Sequence, residues 1–135
     1  MGKYVWPCPG YSRISSGYGN RVCPFHGNEF HDGIDLAAPV GTSVKTCASG
    51  TVTRIEKDDR YGMIVEISHG NDLLSLYGNL SEDGLVELGE VVSRGDVIGK
   101  VGKTSTFEAS GAEHLHFSMK LKDEPVDPGK YIKGL

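Results

Sequence analysis

His114 and His116 stand one residue apart in a run where Leu115, Phe117, Met119 and Leu121 alternate with polar or small residues. Period-two alternation marks a half-buried strand, and a strand sends residues i and i+2 to the same face. The two imidazoles therefore share one face, and Leu115 and Phe117 share the other. Paired imidazoles are good zinc ligands; the alternative is two exposed strand histidines. A catalytic zinc takes three protein ligands from His, Asp, Glu or Cys and keeps a fourth position for water. The candidates are His26, His31, Asp32, Asp35, His69, His114 and His116. The H-x-x-x-D spacing of His31 and Asp35 carries little weight alone, since such spacings arise by chance. Beside an H-x-H in a small β protein it carries much more. The two motifs together supply two imidazoles and one carboxylate for an ion, with one imidazole to spare beside it.

The elements that must position these groups read as short strands. Nineteen glycines in 135 residues punctuate brief apolar runs, which favours strands and tight turns over long helices. Residues 4–25 carry Trp6-Pro7, Pro9-Gly10 and Ser15-Ser16-Gly17, and read as edge strands and loops, since proline forbids a helix interior. Strands are expected at 44–47, 51–56, 63–68, 73–77, 85–88, 91–92 and 97–101. His69-Gly70-Asn71-Asp72 reads as a turn, and Gly89-Glu90 and Arg94-Gly95-Asp96 read as tight hairpin turns. Residues 104–112 form a polar loop leading into the H-L-H strand, and residues 126–132 a capped helical turn. The expected architecture is mainly β, an antiparallel sandwich or flattened barrel.

At this length the chain reads as one domain over residues 1–135, with 1–25 as an N-terminal lead-in. A net charge of −4 without clustering gives no sign of nucleic acid or a membrane surface. No apolar run approaches the roughly 20 residues of a spanning helix, and no signal peptide is evident. Cys8, Cys23 and Cys47 form no C-x-x-C pair, which disfavours a zinc knuckle. The odd count leaves at least one thiol free. Cys8 and Cys23 could pair if their segments lie side by side, and Cys47 reads as a small buried residue.

The sequence resembles the M23 (lysostaphin/LytM-type) zinc metallopeptidases, which cut peptide bonds in bacterial peptidoglycan. The likeness lies in Phe30-His31-Asp32-Gly33-Ile34-Asp35-Leu36-Ala37-Ala38-Pro39-Val40-Gly41-Thr42 and in His114-Leu115-His116-Phe117. It extends to residues 6–11, 14–21, 95–102 and 126–128, nearly the whole chain. The resemblance implies the LytM (duplicated-hybrid-motif) fold and one Zn²⁺ per chain held by His31, Asp35 and His116, with His114 catalytic and no organic cofactor. It also implies an extracytoplasmic site within a longer protein and a peptidoglycan peptide as substrate. One position departs. The family carries a second catalytic histidine in a Tyr-x-His-Leu segment, and here Tyr77-Gly78-Asn79-Leu80 puts Asn79 in that place. An amide can hydrogen-bond an oxyanion but cannot shuttle protons near neutral pH. Similar Asn-bearing segments occur in SpoIIQ-type sporulation proteins, which serve largely as binding partners. The resemblance thus implies either an endopeptidase, with His114 and Asn79 at the reaction, or an impaired domain that binds zinc and a partner protein or wall ligand.

The remaining residues read more plainly. His69 is expected as an exposed turn residue, with a role at the cleft as the alternative, His26 as a loop residue or substrate contact, and Asp32 as a turn carboxylate. Tyr18 and Tyr77 are expected mostly as packing, with Arg21 at the cleft, and Glu113 as a solvated carboxylate. A biotinyl- or lipoyl-type carrier domain is disfavoured, because no lysine sits in a hairpin-tip carrier sequence.

Overall fold

The computed structural model describes residues 4–8, 10–11, 14–16, 18–23, 27–31, 33–104 and 113–132, with the backbone alone for 15–16, 19–23 and 27–31. The alternating runs become antiparallel strands: β1 (Ile14–Ser16), β2 (Gly19–Cys23), β3 (Gly27–His31), β4 (Gly33–Ala37), β5 (Ser43–Lys45), β6 (Gly50–Asp58), β7 (Gly62–Ser68), β8 (Leu73–Leu80), β9 (Val91–Val92), β10 (Val97–Lys100), β11 (His114–Leu121) and β12 (Glu124–Val126). The main sheet runs β1-β4-β11-β8-β7-β6-β9, with β12 also pairing β11; β5 pairs β10 and β2 pairs β3. The fold is mainly β and antiparallel, as expected, and the main sheet stays open between β1 and β9.

Every described strand pairing is antiparallel, so one face of the main sheet can collect the apolar residues. Leu36, Ile67, Leu80, Leu115, Phe117 and Met119 are fully buried there, joined by Val44 and Ile98 of the β5–β10 ribbon. Each such side chain contributes about 1.5–3 kcal/mol by leaving water. Tyr77 and Phe117 pack with ring centroids 5.2 Å apart. Among the described residues the helical content is a 3₁₀ turn, Pro128–Lys130, capped by Asp127, whose carboxylate accepts the Gly129 N–H. No helix is long and apolar enough to cross a membrane among the described residues.

Two expectations need correction. Residues 85–88 are not a strand. Left-handed Gly84 (φ 76°) and Gly89 (φ 85°) bound the run, and the Val86 N–H finds its acceptor in the Ile98 carbonyl instead of in a ladder. The turns at Glu87–Glu90 and Ser93–Asp96 do form, each closed by a backbone bond of 3.1 and 2.9 Å. They do not join paired neighbours, because β9 pairs with β6 and β10 with β5. Cys8 and Cys47 are free buried thiols; the side chain of Cys23 lies outside the described residues.

Candidate metal centre

β11 lies between β4 and β8, and its register sets the site. His116 stands directly opposite Asp35 and His114 opposite Ala37 on β4; on β8, Gly78 stands opposite His116. Directly opposed residues of an antiparallel pair share a face. Asp35, Ala37, His114 and His116 therefore lie together on the face away from Leu36 and Leu115. The alternative of two exposed histidines does not hold: His114 is 6% exposed, His116 1% and Asp35 5%.

Nδ1 of His116 lies 3.1 Å from Oδ1 of Asp35. In the absence of an ion this is a His–Asp hydrogen bond. Two donors bound to one zinc at about 2.0–2.1 Å in tetrahedral geometry stand about 3.3 Å apart. The 3.1 Å separation is compatible with two ligands of one ion as well as with a hydrogen bond, and an imidazole with a carboxylate is a suitable donor pair. His31 is the last residue of β3, two positions before Gly33 at the start of β4, the strand that carries Asp35, and its backbone pairs with Gly19 of β2. Its side chain lies outside the described residues, as do residues 26 and 32 and the side chain of Arg21. Among the described residues no three His, Cys, Asp or Glu side chains gather as a metal cluster.

Asn79 occupies a bulge. Between the pairs Met63↔Leu80 and Val65↔Tyr77, β7 advances two residues and β8 three. The extra residue bends β8, and Asn79 takes φ 61°, a left-handed conformation that asparagine tolerates better than most residues. Its Nδ2 donates to the His114 carbonyl at 2.7 Å, and its Oδ1 accepts the Thr104 N–H at 2.9 Å. The hydroxyl of Thr104 donates to the Leu80 carbonyl and accepts the Met63 N–H. The amide therefore ties β8 to the backbone of the H-L-H strand and to the loop start at Thr104.

Several site neighbours were not found from the sequence. Tyr61, in the β6–β7 turn, stacks on the His116 imidazole with centroids 4.0 Å apart and planes 10° apart. Its partner is 55 positions away, so no local pattern shows it. The Asp-Asp-Arg-Tyr-Gly turn was the available signal. Gly33 is also needed: a Cβ there would lie 2.5 Å from the Phe117 carbonyl oxygen and 3.0 Å from Cε1 of His116. Glu113 is exposed, and its Oε1 accepts the Val40 N–H at 3.0 Å, fastening the start of β11 to the loop after β4.

His69 departs from expectation. Its backbone is in the β7–β8 turn, but its ring turns inward. Nδ1 lies 2.8 Å from the Ser49 carbonyl, which can only accept, so Nδ1 carries the proton. Nε2 lies 2.7 Å from Ser75 Oγ and 3.8 Å from the Cys47 sulfur. Ser75 Oγ contacts the Tyr77 hydroxyl at 2.8 Å, which accepts the Cys47 N–H at 2.9 Å. With His69 neutral, Ser75 donates to Nε2 and Tyr77 donates to Ser75. Burial lowers the His69 pKa and raises that of Cys47, so both favour their neutral forms. Cys47, Ser75 and Tyr77 are buried and His69 is half-buried, and Tyr77 is core packing as expected. Tyr18 is half-buried and donates to the Pro125 carbonyl.

Residues 29–128 match peptidase family M23, and the chain belongs to that family. It is 40% identical over 119 residues to the DD-carboxypeptidase/endopeptidase Mpg of Neisseria meningitidis serogroup B (strain MC58), covering 87% of this chain and 26% of that protein. It is 41% identical over 102 residues to stage II sporulation protein Q of Bacillus subtilis (strain 168), covering 74% of this chain and 35% of that protein. The fold matches the crystal structure of a zinc-containing peptidase from Vibrio cholerae with a TM-score of 0.82 at 30% identity, over 93% of this chain and 39% of that one. The chain thus spans about a quarter to two-fifths of these relatives.

Proposed function

We propose that this chain is the single peptidase domain of an extracytoplasmic zinc endopeptidase that cuts peptide cross-links in bacterial peptidoglycan. The observation that carries the reading is the buried Asp35–His116 pair, whose 3.1 Å separation suits two ligands of one metal ion. His31 is the third ligand in this reading. When bound, zinc polarises the scissile carbonyl and lowers the pKa of its water to about 7.

His114 is the catalytic imidazole: it takes the proton of the attacking water or steadies the oxyanion that forms on the substrate carbonyl. Asn79 moves no proton; it holds the His114 main chain. The test is zinc content together with digestion of cell-wall peptides. The native chain should release cross-link peptides, and His114→Ala should keep zinc while losing about 10²–10⁴-fold in rate. A zinc-loaded native protein inert on every cross-bridge chemistry would sink the proposal.

A second reading is favoured by Asn79 and by the likeness to the sporulation protein. In it, the domain binds zinc and a partner protein or wall glycopeptide without turnover. Asn79→His separates the two: lytic activity in the variant and none in the native chain supports the binder.

A further inference from the structure

We infer that Tyr61 is a positioning residue for the metal centre, setting the plane in which His116 presents Nδ1. The inference rests on the reading of Asp35 and His116 as zinc ligands. An imidazole on an unconstrained χ2 turns broadly, and a turn about χ2 would carry Nδ1 away from Asp35. Tyr61 limits that rotation, because its ring lies 4.0 Å from the imidazole and within 10° of parallel. At that spacing the two faces are in van der Waals contact. The opposite constraint comes from the edge, where Gly33 leaves just the room that Cε1 occupies.

Tyr61 is itself held from three directions. Asp58 Oδ1 accepts the N–H groups of Arg60 and Tyr61 at 2.7 and 2.9 Å, which fixes the turn. The Tyr61 carbonyl accepts the Asn79 N–H at 2.6 Å, which ties the turn to the β8 bulge. The Arg60 guanidinium lies 5.2 Å from the Tyr61 ring centroid, within cation–π range. Gly78, opposite His116, completes the seat: a Cβ there would stand 3.1 Å from Tyr61 Cβ and 3.4 Å from His116 Cβ. The turn, the bulge and two glycines thus converge on one ring stacked against one ligand.

The test compares Tyr61→Phe, Tyr61→Leu and Gly78→Ala with the native chain. Zinc affinity is measured by competition with a chelator, and ligand geometry by the visible spectrum of the cobalt-substituted protein. Tyr61→Phe keeps the stack and should bind zinc within about twofold of native. Tyr61→Leu should lose about 10–100-fold, the range found when a metal ligand loses its orienting partner, and should shift the cobalt bands. Gly78→Ala, which presses on Tyr61 without removing it, should weaken zinc in the same direction. Zinc affinity and cobalt bands unchanged in both Tyr61→Leu and Gly78→Ala overturn the inference while leaving the metal reading intact. A native chain that takes up no zinc overturns both.

Discussion

Asn79 Nδ2 donates to the backbone carbonyl of His114 at 2.7 Å, so the amide holds the main chain of the first histidine of the H-L-H run. The same amide accepts the Thr104 N–H, and both contacts are possible because a bulge turns Asn79 out of the regular pleat. Asn79→Ala removes both contacts and places alanine at φ 61°. Leaving the buried His114 carbonyl and Thr104 N–H without the amide costs about 1–3 kcal/mol each, and left-handed backbone adds about 1–2 kcal/mol. Asn79→Asp should be at least as damaging, since it sets a carboxylate oxygen against the His114 carbonyl. Denaturant unfolding checks both; a loss under 1 kcal/mol in either would refute the clamp.

Gly33→Ala probes the approach of β4 to β11. A Cβ at 2.5 Å from the Phe117 carbonyl and 2.7 Å from Ser118 Cβ cannot be housed without moving the strand. Overpacking of this kind costs about 1–3 kcal/mol. Because Asp35 rides on the same strand, zinc affinity should fall with stability. Unfolding curves and zinc titration test the pair of effects; a stable variant with native zinc binding would contradict them.

The hydrogen-bonded chain at His69 gives stability a pH dependence. Burial lowers the pKa of this ring below the ordinary 6.5. Above pH 6.5 the ring is neutral folded or unfolded, and its contribution is fully present. As pH falls below 6.5 the unfolded chain takes up a proton that the folded ring refuses, so stability declines until the lowered folded value is passed. The melting temperature should therefore drop as pH falls through and below 6.5. His69→Gln should flatten that drop; an unchanged slope would rule the contribution out.

Tyr77→Phe keeps the ring against Phe117 but deletes the hydroxyl that accepts the Cys47 N–H and contacts Ser75. A buried donor left without its acceptor costs about 1–3 kcal/mol. Thermal unfolding should show a loss of several degrees; a neutral substitution would mean that the hydroxyl adds nothing to the core.

The H-L-H face was legible because strand alternation is local: Leu115 and Phe117 declare which side is core, and the histidines take the other. The closing turn at Asp127-Pro128 was legible for the same reason, an Asp cap beside proline. The meeting of Asp35 with His116, 81 residues apart, followed from the resemblance and from counting the ligands an ion needs. Tyr61 on His116 was not legible, since nothing in a turn sequence names a distant stacking partner. His69 misled because its neighbours Gly70-Asn71-Asp72 are turn formers, while the inward pull comes from the Ser49 carbonyl and Ser75. The run at 85–88 misled because partial burial of Leu85 and Val86 mimics a strand without its ladder.

The central claim is that His31, Asp35 and His116 hold one zinc ion. Zinc stoichiometry of the purified chain, native and as His31→Ala, Asp35→Ala and His116→Ala, tests it most directly. The account predicts one zinc per native chain and almost none in any of the three folded variants. A native chain without zinc, or an Asp35→Ala variant that keeps a full equivalent, would contradict it.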